Sequence, residues 1–192
     1  MASSITYPLT GSCACKSIRY QISTPPIITH CCHCTYCQRE TGSAFAINAV
    51  IETSRLTILP SQTNILPNFI ITPSESGLGQ LIARCPNCHV ALWSHYSRAG
   101  RVVAFVRVGT LDREEIKGPP VLEPDIHIYM QTKVPWMTLP EGVRSVVEFY
   151  NPQDVWAKEC LERWKALGPE IEREVKGRSK NSIWVQVSEN ME

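Results

Sequence analysis

The chain has 192 residues, of which 43% are hydrophobic and 19% charged, with a formal net charge of +1. This is globular composition, enough for one domain with a sizeable core and an appendage. A near-neutral charge sets up no basic field, so nucleic acid and anionic membrane surfaces are excluded as default partners. No apolar run reaches the roughly 20 residues needed to cross a bilayer. The opening residues, Met-Ala-Ser-Ser-Ile-Thr-Tyr-Pro, lack a basic start followed by an apolar run, and the expected location is cytoplasmic. Fourteen prolines against ten glycines, with few long polar helical stretches before residue 150, point to a β-rich body with rigid loops.

In chain order, Ile18-Arg19-Tyr20-Gln21-Ile22 alternates apolar and polar residues and reads as a strand ended by Pro25 and Pro26. Residues 35–41 read as a short helix stopped by Gly42. Residues 44–51 and 55–59 read as strands, the second stopped by Pro60. Residues 60–80, with three prolines and two glycines among them, read as loop. Short strands are expected at 81–84, 90–95, 101–108 and 125–130, with turns at 97–100 and 109–113 and Pro/Gly punctuation at 117–124. From 153 to 176 the pattern changes. Trp156, Cys160, Trp164, Leu167 and Ile171 recur at spacings of four, four, three and four, one face of an amphipathic helix. Pro169 falls inside it and is expected to break or kink it. Residues 182–188 read as a short strand or arm. The chain thus divides into a β body over 1–150 and a helical extension over 151–192. The extension's stripe would pack on the body or on a second copy in a homodimer.

Nine cysteines carry the strongest signal. Cys13-Ala-Cys15 is C-x-C, Cys32-His33-Cys34-Thr35-Tyr36-Cys37 is C-x-C-x-x-C, and Cys85-Pro86-Asn87-Cys88 is C-x-x-C. Thiols two or three residues apart aim at one point, and a soft tetrahedral ion such as Zn²⁺ satisfies them. In a reducing compartment this reading outweighs disulfides. The seven candidates divide as four plus three, the C-x-C with the distant C-x-x-C forming a structural clamp and the compact C-x-C-x-x-C left with three ligands. Spacing alone also allows Cys32 and Cys34 to join Cys85 and Cys88. Cys160 reads as an ordinary buried thiol. In an extended segment Cys31 points away from Cys32 and stands outside the metal set.

Several motifs occur in a telling order: Gly11-Ser12-Cys13-Ala14-Cys15, Ile18-Arg19-Tyr20, Cys32-His33-Cys34 with Cys37, Gly42-Ser43-Ala44-Phe45, Cys85-Pro86-Asn87-Cys88, Gly109-Thr110-Leu111-Asp112, and Asp125-Ile126-His127-Ile128 with Trp136 downstream. From about residue 8 to 150 this series resembles the glutathione-dependent formaldehyde-activating (GFA) family, which also includes centromere protein V. Lys16 and His89 stand where members often have glycine, Gln38 where they often have arginine, and Arg84 where an aromatic is usual. The resemblance implies a mostly β, zinc-stapled β-tent body of the Mss4-like group; the C-terminal amphipathic helix beyond residue 150 lies outside it and rests on the periodicity alone. The resemblance also implies one structural zinc on Cys13, Cys15, Cys85 and Cys88, and a second, exchangeable and catalytic zinc on Cys32, Cys34 and Cys37 near a glutathione site.

Such a member would be a carbon–sulfur lyase or synthase acting on a small-molecule thiol or thiol adduct. An open Zn²⁺ can bind a substrate thiol and lower its pKa, and the thiolate then adds to an aldehyde. The expected catalytic residues are Cys34, His33 and Arg39. Arg39, Ser43, Phe45 and His127 are the expected substrate contacts, with Arg39 offsetting the charge of three thiolates. Each has a plainer reading: a solvent-facing knuckle for His33, a helix-surface ion pair for Arg39, turn and core for Ser43 and Phe45, and surface for His127. His30 is a candidate fourth ligand or base, and Trp136 reads as core. Two other functions fit the same residues: a zinc-stapled binding module without catalysis, and a GFA-fold enzyme running lyase, dehydration or cyclisation chemistry on a larger metabolite.

Overall fold

The computed structural model describes residues 5–113 and 122–178; the strand expected at 182–188 lies outside them. The body is mostly β and Mss4-like, built from two sheets. Strands β1 (Leu9–Ser12), β2 (Arg19–Ile22) and β5 (Leu56–Leu59) form a three-stranded antiparallel sheet in the order β1-β2-β5. Strands β3 (Ile28–Cys32), β4 (Ala46–Glu52), β6 (Asn68–Thr72), β7 (Gln80–Arg84), β8 (Ala91–Tyr96), β9 (Val103–Arg107) and β10 (Ile126–Ile128) form the second sheet, in the order β10-β3-β4-β9-β8-β7-β6. Only β10 with β3 runs parallel in it.

The three-stranded sheet packs on the β8–β9 part of the large one. Tyr20 is fully buried between them, edge-on to Trp93 at 5.8 Å between ring centroids, a contact worth about 1 kcal/mol beyond the area buried. Its hydroxyl bonds Thr110 Oγ1 at 2.6 Å. Gly11 opposes Tyr20 in the β1–β2 ladder, where any Cβ would overlap the tyrosine ring.

The opposite core is closed by the C-terminal extension. The helix expected over 153–176 is two helices, α2 (Pro152–Val155) and α3 (Lys158–Lys176). Asn151 caps the first and Pro152 sits at its opening, where a missing N–H costs nothing. Trp156 leaves helical geometry between them. There its indole N–H donates to Tyr150 Oη at 2.7 Å and its ring meets Trp164 edge-on at 5.3 Å. Pro169 lies within α3 without interrupting it, against the expectation; the apolar stripe on both sides of it, Trp164 and Leu167 before and Ile171 after, is held on the core containing Ile28, Val50, Val103 and Ile128. Tertiary packing overrides the helix-breaking tendency here.

Polar contacts fix the extension in place. Arg163 makes a two-pronged pair with Glu52, Nε to Oε1 at 2.8 Å and Nη2 to Oε2 at 2.6 Å, and reaches the Pro25 carbonyl. Both carboxylate oxygens of Glu174 accept the Arg101 backbone N–H, at 2.7 and 2.8 Å. Gly100 makes that approach feasible, since its φ is +58° and a Cβ would overlap the Glu174 carboxylate.

Three strands were not expected. β1 and β6 are short, and β3 is buried on both faces, so it shows no polar–apolar alternation. Trp136, expected in the core, is 75% exposed. It sits in a turn outside any strand or helix, and among the described residues nothing encloses the indole.

The Glu52–Arg163 pair generates a pH-dependent prediction. Burial works against ionising Glu52, but the Arg163 hydrogen bonds outweigh it and its pKa is lowered. Its stabilising contribution is therefore full above the unfolded carboxylate value of about 4.3 and is lost as pH falls through the lower folded value. Glu52→Gln is expected to melt below the wild type at pH 7, by an amount on the order of 1–3 kcal/mol. The gap should close in melts run at successively more acidic pH.

Candidate metal centre

The two knuckles of the first cysteine group are built alike. In the β1–β2 connection, Cys13 N–H bonds Ile18 O at 3.1 Å and Lys16 N–H bonds Cys13 O at 2.9 Å. In the β7–β8 connection, Cys85 N–H bonds Val90 O at 3.0 Å and His89 N–H bonds Cys85 O at 2.9 Å. Lys16 and His89 are both left-handed, with φ of 58° and 60°. This is the physical meaning of the glycine usual at those places: the turn needs positive φ. The knuckles bring Cys13, Cys15, Cys85 and Cys88 together, all four sulfurs within 4.8 Å of one another. Cys13–Cys15 is 3.5 Å and Cys15–Cys85 is 3.7 Å. Tetrahedral Zn²⁺ with bonds of about 2.3 Å needs sulfurs about 3.8 Å apart, so the residues fit that ion. This group staples the three-stranded sheet to the seven-stranded one.

Cys32, Cys34 and Cys37 converge separately, with their sulfurs also within 4.8 Å and all three residues buried. The alternative pairing of Cys32 and Cys34 with Cys85 and Cys88 is not the one formed. Cys32 ends β3, and Cys34 caps the helix α1 (Thr35–Thr41), its sulfur accepting the Cys37 N–H at 3.4 Å. Gly42, at φ 63°, ends that helix as expected. Hydrogen bonds from the Cys32 and Cys37 thiols, and then from backbone N–H groups, hold the Cys34 thiol well below its ordinary pKa, while burial opposes them. Among the described residues the cluster has no fourth Cys, His, Asp or Glu ligand.

A cation that sequence reasoning did not name, Arg107, lies beside this cluster. Arg39 is exposed on α1. The Cys32 hydrogen bond and, more weakly, Arg107, at the end of β9 and only 6% exposed, favour the Cys37 thiolate, but the neighbouring Cys34 and burial outweigh them and push its pKa up to about 12. Arg107 bonds Asn48 Oδ1 through Nη1 and Glu40 Oε2 through Nη2 at 2.9 Å, while its Nε has no hydrogen-bond partner. Arg84, next to Cys85, takes the other Glu40 oxygen at 2.6 Å and the His89 carbonyl at 3.1 Å. Glu40 thus links the helix carrying Cys37 to the second knuckle.

The remaining expected residues divide. Ser43 is exposed beyond the end of α1. His33 is fully buried, not solvent-facing, and stacks on His127 at 5.2 Å with Phe45 at 5.8 Å. His127 is buried too, not on the surface. His30 is neither ligand nor free base: its ring bonds the Tyr150 hydroxyl, and burial drops its pKa to about 4. Two groups near the three thiols escaped sequence reasoning. Burial and the Cys32 and Cys34 charges push Tyr129 up to about 12, and partial desolvation, then Cys34 and Glu148, raise the pKa of Glu75, which is itself exposed. Glu75 lies in a loop with no motif of its own.

A model of the family described as glutathione-dependent formaldehyde-activating enzyme matches residues 8–132, a span that contains all three cysteine motifs. Among solved structures, the crystal structure of a Rhodobacter sphaeroides protein is similar with a TM-score of 0.40 and 17% identity, covering 58% of this chain and 91% of that one. No curated protein matches this chain in sequence. No helix among the described residues is long and apolar enough to cross a membrane.

Two substitutions test the knuckles. His89→Gly is expected to stabilise the protein by about 0.5–1 kcal/mol, by relieving the left-handed turn, read as a higher midpoint in urea. Cys88→Ala is expected to yield insoluble or non-cooperatively unfolding chains, read by circular dichroism of the soluble fraction.

Proposed function

The chain belongs to the glutathione-dependent formaldehyde-activating enzyme family, and on that footing we propose that it is a zinc-dependent carbon–sulfur lyase or synthase acting on a thiol adduct. The observation that carries this reading is the buried, three-thiol cluster Cys32, Cys34 and Cys37 with no fourth ligand among the described residues. A purely structural centre would use four. The donor set is soft and compact, as zinc requires.

Zinc held by these three sulfurs would supply an open position that binds a substrate thiol and lowers its pKa. Everything else falls to the chain. Three thiolates outnumber the two charges of the ion, and Arg107 beside Cys37 offsets the excess. Arg39 and Ser43, exposed around the C-terminal end of α1, are the proposed contacts for the anionic ends of a glutathione-like thiol. In the forward direction the substrate thiolate attacks the aldehyde carbon, a C–S bond forms, and the carbonyl oxygen takes a proton. In reverse the hydroxyl gives up that proton and the C–S bond breaks.

Cys34→Ser is expected to abolish thiol-dependent turnover of formaldehyde-like aldehydes while circular dichroism stays native, since the four-cysteine group remains. Turnover by Cys34→Ser equal to the wild type, across a panel of thiols, contradicts the assignment.

A further inference from the structure

β3 has two chemically loaded faces. Cys32 faces the three-thiol cluster, and the residues on either side of it, Cys31 and His33, face the other way with a period of two. β10 runs parallel to β3 with His127 in register beside Cys31, and the His33 N–H continues the ladder to Ile128 O at 3.0 Å. The register alone therefore puts Cys31, His33 and His127 on one side of the sheet. Their ligand atoms lie within 4.8 Å of one another, and all three residues are buried.

We propose that Cys31, His33 and His127 form a third metal site, a Cys-His-His centre for a divalent borderline ion of the Zn²⁺ class.

Two contacts converge on one atom. His33 Nε2 lies 2.9 Å from His127 Nδ1 and 3.6 Å from Cys31 Sγ. A neutral imidazole nitrogen offers either one proton or one lone pair, so hydrogen bonding serves only one of these neighbours well. An ion at the centre of the triangle serves all three. With bonds of about 2.3 Å to sulfur and 2.0–2.1 Å to nitrogen, a tetrahedral centre wants S···N near 3.6 Å and N···N near 3.3 Å. The first matches, and the second needs the two rings to part by a few tenths of an ångström. The outer side of His33 fits as well. Among the described residues its Nδ1 makes no hydrogen bond, and the Ala44 backbone lies against the His33 ring, the kind of group that supports a ligating imidazole from behind. One thiolate and two neutral imidazoles leave such a centre at +1, against −1 for three thiolates. It would be the stronger Lewis acid of the two, with a fourth position for water or another oxygen donor.

The proposal does not rest on the carbon–sulfur reading, and its test is spectroscopic. The full chain is produced with Co²⁺ in place of zinc and its ¹H NMR spectrum recorded. Neither all-cysteine cluster holds a histidine, so exchangeable imidazole N–H signals shifted tens of ppm beyond the diamagnetic range can come only from the proposed site. The wild type is expected to show them. His127→Leu is expected to lose them together with one equivalent of Co²⁺, while the sulfur-to-cobalt charge-transfer absorption of the other clusters persists. Cys31→Ala is expected to lose the same equivalent, and it decides the matter if His127→Leu does not fold. A wild-type spectrum without shifted exchangeable signals, or unchanged signals and metal content in the variants, overturns the proposal.

Discussion

Everything in this fold leans on the meeting of four sulfurs from two separate sheets. Cys13 and Cys15 come from the three-stranded sheet, Cys85 and Cys88 from the seven-stranded one, some 70 residues later in the chain. Drawing such distant pairs together closes a long loop, and the entropy of that closure must be offset by what the sulfurs hold. The local chain is shaped to permit it. Two matching turns tolerate left-handed Lys16 and His89, and Gly11 lets Tyr20 lie flat under the first knuckle. Tyr20, Trp93 and Phe69 then fill the space behind the clamp.

The clamp is also wired to the three-thiol cluster. Glu40 of α1 is held by Arg84 beside Cys85 and by Arg107 beside Cys37. Buried ion pairs of this kind add little net stability, because desolvation consumes most of the attraction. What they fix is position. Loss of either arginine leaves one oxygen of a buried carboxylate without its partner, so α1, with Cys34 as its cap and Cys37 in its first turn, keeps one orientation relative to the second knuckle. The C-terminal helices seal the same core that holds Cys32, Cys34 and Cys37, and the His30–Tyr150–Trp156 contacts join that seal to β3.

The cysteine motifs were legible in the sequence because spacing is a local property, and so were the helix stop at Gly42 and the stripe from Trp156 to Ile171. What stayed hidden was hidden for physical reasons. β3 carries Thr29, His30 and Cys31 inside the protein, and a strand buried on both faces has no alternation to read. Arg107 and Glu40 are 67 positions apart, and nothing local marks either as the partner of the other; Arg39, closer to the motif, looked the better cation. His33 appears exposed as the middle of a knuckle until β10 is laid against β3, after which it is enclosed by His127 and Phe45. Pro169 obeys packing rather than propensity, and Trp136 shows that a large apolar side chain by itself does not specify burial.

The most direct test of the account is stepwise removal of metal from the reduced full chain with a chelator, following bound zinc and near-ultraviolet circular dichroism together. Metal on the three-thiol cluster should leave first with the tryptophan and tyrosine signals intact, and the fold should collapse cooperatively only as the last, four-cysteine zinc departs. A chain that is free of zinc and still shows the native near-ultraviolet spectrum would contradict the claim that the four sulfurs hold the two sheets together.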